Sequence, residues 1–143
     1  MPAPVKVLLV EDSPVALGVY KKILESSKDI DVVGTAFDGA EALTMIPQVQ
    51  PQVICTDLQM PKMDGYEFIK QVMAHNPLPI LVLSNVVQKS DIDNIFTVLK
   101  SGAVDVIPKP QGASPESSEE FKKQLVVKLK VLATKKVAAK PLT

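Results

Sequence analysis

The stretch VICTDLQMPKMDG, residues 53–65, decides how the rest of the chain is read. Val53 to Thr56 form a short apolar and β-branched run, long enough for a strand and too short for a helix. The run ends directly in Asp57. Pro61, Asp64 and Gly65 then mark a loop, and YEFIKQVMAH (66–75) continues with helical character until Asn76-Pro77 stops it. A buried strand, an acidic residue at its carboxyl end and a helix therefore follow one another.

The same unit repeats on both sides. Strands are predicted at Val5–Val10, Asp31–Ala36, Ile80–Ser84 and Val104–Ile107. Ser13-Pro14, a polar cap followed by a first-turn proline, opens a helix that reaches about Ser27. Asp38-Gly39 opens a shorter one that Pro47 is expected to stop. Ile92, Ile95, Phe96 and Leu99 keep helical spacing, with Gly102 just past the end. QGASPESS (111–118) reads as a polar loop. Phe121, Leu125, Leu129 and Leu132 then form one apolar stripe of a last helix.

Strict alternation of strands and helices implies an α/β fold with a parallel sheet covered on both faces. In such sheets ligands bind beyond the carboxyl ends of the strands. Those ends carry Glu11-Asp12, Asp57, Ser84 and, after the fifth strand, Lys109-Pro110. Three crowded carboxylates repel, and their charge must be offset by a cation or by protonation. An oxygen-only set favours a hard ion, and Mg²⁺ is held by one or two carboxylates together with phosphate and water. A carboxylate such as Asp57 attacks phosphorus to give an aspartyl phosphate, with Lys109 as a charged donor and Ser84 as a neutral one.

The bulk numbers narrow the class. A chain of 143 residues suits one domain. With 46% apolar residues it can bury a core. Its 16 basic and 16 acidic residues leave no net charge, which argues against nucleic-acid binding. No apolar run is long enough to span a membrane. The lone Cys55 excludes an internal disulfide and a cysteine metal cluster, and a reducing cytoplasm is the expected location. Cys55 reads as a small core residue and His75 as a helix-end or solvent-facing side chain.

The segments VLLVEDS, DLQMPKMDG, VLSN and IPKP, together with DGAEAL and LKSGAVD, resemble the receiver domain of two-component response regulators over residues 5–112. The resemblance implies a flavodoxin-like sheet of order 2-1-3-4-5 with five helices. It also implies phosphorylation of Asp57 by a histidine kinase. Asp12 becomes a direct Mg²⁺ ligand and Glu11 acts through metal-bound water. The main-chain carbonyl of Gln59 completes the protein ligands. Ser84 becomes the switch hydroxyl and Lys109 the phosphate-binding lysine, and the bond before Pro110 is cis in this family. Many receivers carry an aromatic residue where this chain has Val106, and a valine has no ring to swing. The end of the chain resembles the receiver part of chemotaxis methylesterases, in which a linker and a catalytic domain follow. The expected division is a receiver at 1–136 and a tail or linker start at 137–143, with an attached or separate output domain. No residue set here would hydrolyse an ester. Two other functions compete. A phosphohydrolase with an Asp nucleophile usually carries D-x-D, where this chain has Gln59. A pseudo-receiver used only for interaction would not need the acids, the hydroxyl and the lysine all intact.

Overall fold

The computed structural model describes residues 3–57, 65–84, 104–108 and 115–134. Five parallel strands, β1 (Val5–Val10), β2 (Ile30–Ala36), β3 (Val53–Asp57), β4 (Ile80–Ser84) and β5 (Val104–Pro108), form one sheet of order β2-β1-β3-β4-β5. The described helices are α1 (Pro14–Glu25), α2 (Gly39–Val49), α3 (Gly65–His75) and α4 (Pro115–Ala133). The expected helix around Ile92–Leu99 lies outside the described residues.

The sheet is buried on both faces. One layer of core packs Val7, Leu9, Cys55, Leu81 and Leu83 against Leu17, Tyr20 and Leu24 of α1 and the Phe121, Leu125, Leu129, Leu132 stripe of α4. Tyr20 and Phe121 join these two helices through a tilted ring contact, with centroids 5.9 Å apart. The other layer packs Leu8, Val10, Ile54 and Val82 against Ile46 of α2 and Phe68, Ile69 and Met73 of α3. Val106 is half-buried against this second layer and pairs in register with Val82. Lys128 bonds Asp105 at 2.8 Å, which ties α4 to β5. Lys130 reaches Asp29 at 3.2 Å. The lysines of α4 are thus not all a freely solvated face.

Local chemistry sets the helix ends. The Ser13 hydroxyl accepts from the Ala16 N–H at 3.3 Å, with Pro14 in the first turn. The Asp38 carboxylate accepts from the Glu41 N–H at 2.8 Å. Two expectations are corrected. Pro47 does not stop α2, which continues to Val49 and ends at Gln50 in a left-handed conformation (φ 49°). A proline so near the carboxyl end forfeits one helical hydrogen bond, and the Gln50 N–H still bonds Ile46 O at 2.9 Å. The polar segment before Phe121 is not all loop, because α4 begins at Pro115. In β2, Val32 pairs with Val7 and Gly34 with Leu8, so β2 carries one extra residue there. A Cβ at Gly34 would lie 2.7 Å from Met45 Cε, the far end of a flexible side chain that would have to shift.

Candidate acidic site at the strand ends

The acidic residues come together because β1 and β3 are direct neighbours in a parallel sheet. Val10 pairs with Thr56, so Glu11 and Asp57 leave the sheet side by side. One carboxylate oxygen from each of Glu11, Asp12 and Asp57 falls within a cluster no wider than 4.8 Å. Glu11 (2% exposed) and Asp57 (7%) are buried, and Asp12 is exposed at the mouth. Glu11 Oε2 also accepts from the Ser13 N–H at 3.0 Å, which couples the acid pair to the start of α1. This contact left no mark in the sequence beyond the polar cap itself.

The donor set fits a hard cation. Every candidate ligand in the cluster is a carboxylate oxygen. The nearby sulfur is not a ligand candidate, because burial and the Glu11 and Asp57 charges push the Cys55 thiol up to about 12. Cys55 therefore sits beneath the acids as a protonated core residue. His75 is exposed at the carboxyl end of α3.

Ser84 is the last residue of β4 and pairs with Pro108 of β5, so the fourth and fifth strands end at the same level. Lys109 is the next residue in the chain. Gln59, Lys109 and Pro110 lie outside the described residues. The sequence reading missed Thr56. Its hydroxyl is fully buried and donates to the Asp57 carbonyl at 2.9 Å.

Residues 7–116 match the sequence profile of the response regulator receiver domain. The chain belongs to the response regulator receiver family. Relatives of this receiver include a protein-glutamate methylesterase/protein-glutamine glutaminase of Sulfurimonas denitrificans, 36% identical over 136 residues. The match covers 95% of this chain and 38% of that protein. A protein of the same name from Halalkalibacterium halodurans is 39% identical over 129 residues, covering 90% of this chain and 37% of that protein. The receiver thus spans well under half the length of the curated relatives it matches. Among solved structures, the response regulator domain of Thermotoga maritima CheB superposes with a TM-score of 0.80 at 32% identity. It covers 93% of this chain and 98% of that domain. The receiver domain of NarL from Mycobacterium tuberculosis gives 0.73 at 27% identity, covering 90% and 98%. No helix among the described residues is long and apolar enough to cross a membrane.

Proposed function

We propose that this receiver takes a phosphoryl group from a histidine kinase onto Asp57, with Mg²⁺ held by Asp12, Asp57 and the Gln59 carbonyl and supported by Glu11. The observation that carries the reading is the cluster of Glu11, Asp12 and Asp57 oxygens within 4.8 Å at the carboxyl ends of β1 and β3. In the transfer an Asp57 oxygen forms the new P–O bond as the P–N bond to the donor histidine breaks, and the imidazole nitrogen keeps the bonding pair. Bound Mg²⁺ offsets the charge of the carboxylates and of the phosphoryl oxygens. Asp57 is buried and Asp12 is exposed, so a donor would approach the cluster from the Asp12 side. Lys109 holds a phosphoryl oxygen while Ser84 moves toward it, so that two contacts share one switching event.

In the parent protein we propose that an output domain follows residues 137–143. The methylesterase names of the longer relatives support that choice of output. The chain as given would catalyse only its own phosphorylation and dephosphorylation, in the cytoplasm, with no role for nucleic acid or membrane.

The test uses acetyl phosphate as donor. Mg²⁺ and acetyl phosphate should add one phosphoryl group to the intact mass, and Asp57→Ala should abolish it. An unchanged mass shift in Asp57→Ala overturns the assignment. Sustained phosphate release from simple phosphate esters would instead favour a phosphohydrolase.

A further inference from the structure

We propose that Thr56 is a positioning residue for Asp57, acting through a hydroxyl that holds the last carbonyl of β3. The inference rests on the reading of Asp57 as the phosphoacceptor. Thr56 is fully buried in the central strand, with Val10 and Val82 as its register partners on the two sides. Alternation along β3 puts its side chain on the face of Ile54, the side covered by α2 and α3, and Asp57 on the other. Both register partners are valines, which have the same shape as threonine without the oxygen. Packing alone would therefore be served by a third valine. A buried hydroxyl costs free energy unless it is bonded. Here Oγ1 donates to the Asp57 carbonyl at 2.9 Å.

That carbonyl is the last one of β3. Holding it against the Thr56 side chain fixes the backbone torsions on both sides of the Asp57 Cα. The same bond therefore sets the direction of the Asp57 carboxylate. The pairing of β3 with β1 runs as far as Thr56, and its pairing with β4 as far as Asp57. The hydroxyl adds a side-chain contact to the Asp57 backbone, at the point where the nucleophile needs a fixed position. Small misplacements of a nucleophile are costly, because reaction requires the attacking atom in line and in near contact.

The experiment compares Thr56→Val, which keeps shape and loses the hydroxyl, with Thr56→Ser, which keeps the hydroxyl and loses a packed methyl. Mg²⁺-dependent phosphorylation of the full chain by acetyl phosphate is followed by intact mass, alongside thermal unfolding. Thr56→Val should lower the rate at saturating donor about fivefold to tenfold, with the half-saturating donor concentration changed by less than about twofold. Thr56→Ser should stay within about twofold of the unsubstituted rate although it is the less stable of the two. A purely structural role predicts the opposite order, with serine the slower. An unimpaired valine variant, or a serine variant as slow as valine, overturns the inference. If Thr56→Val does not fold, Thr56→Ala against Thr56→Ser makes the same comparison. If the unsubstituted chain takes no phosphoryl group, or Asp57→Ala takes it equally, the phosphoacceptor reading falls and this inference with it. If Asp57 behaves as proposed and only the hydroxyl proves dispensable, this inference falls alone.

Discussion

Two neighbouring acids in the site have different surroundings. Glu11 is buried, and one of its oxygens is engaged by the Ser13 N–H at 3.0 Å, so it is held in place by the start of α1. Asp12 is exposed at the mouth. On the proposed reading Asp12 would ligate Mg²⁺ directly and Glu11 would support it. Asp12→Ala should therefore weaken Mg²⁺ binding more than Glu11→Ala, whose loss should fall within the roughly 10- to 100-fold typical of a supporting group. Calorimetric titration of both variants with Mg²⁺ decides, and equal losses would refute the division. The convergence of these acids was legible in the sequence, because a parallel sheet aligns its strand ends and the residue types there are distinctive. The Thr56 bond was not legible. It depends on a rotamer and on the face to which a buried side chain turns, and a threonine inside an apolar run reads only as a strand former.

At the scale of the element, sequence and structure part company at helix ends, where small local terms decide. The strands were readable to within a residue because each is a short β-branched run, and the two layers of core confirm that both faces are covered. The start of α4 was hidden by its polar composition, yet Ser114-Pro115 repeats the Ser-Pro signal that opens α1. Pro47 was misread for another reason. Proline costs most in a helix interior, and here it falls in the last turn, with its ring exposed and Ile46 anchored in the core. Pro47→Ala restores one helical N–H donor at the expense of a more flexible unfolded chain. A net gain of about 1 kcal/mol is expected, seen as a Tm higher by roughly 3–5 °C. A lower Tm would mean that the proline ring contributes packing or rigidity that outweighs the missing hydrogen bond.

At the scale of the whole molecule, Cys55 reports on the fold and on the site together. It lies at zero exposure in the central strand, with β1 and β4 on its two sides and the core beneath α1 and α4 above it. Burial, with the Glu11 and Asp57 charges, raises its thiol from 9.0 to about 12. The unfolded chain releases this proton near pH 9 and the folded chain holds it until about 12. The contribution is therefore fully present below the unfolded value and is lost as pH rises between the two. Unfolding titrations from pH 8 to 11 should show stability falling, and Cys55→Ala should flatten that fall (~pH 9 onward). At neutral pH the thiolate is scarce and shielded, so a thiol reagent reaches Cys55 only through opening of the sheet. Labelling then measures the open population when reclosing outpaces reaction. A ligand that binds only the folded state lowers that population by the factor 1 + [L]/Kd. Mg²⁺ at ten times its Kd should accordingly slow labelling about elevenfold, with the ion touching neither the thiol nor the reagent. In Asp12→Ala that Mg²⁺ concentration should slow labelling by less than about twofold. Equal slowing in both proteins would mean that the ion acts elsewhere on the fold, and no slowing in the unsubstituted chain would mean that the acids at the ends of β1 and β3 do not hold it.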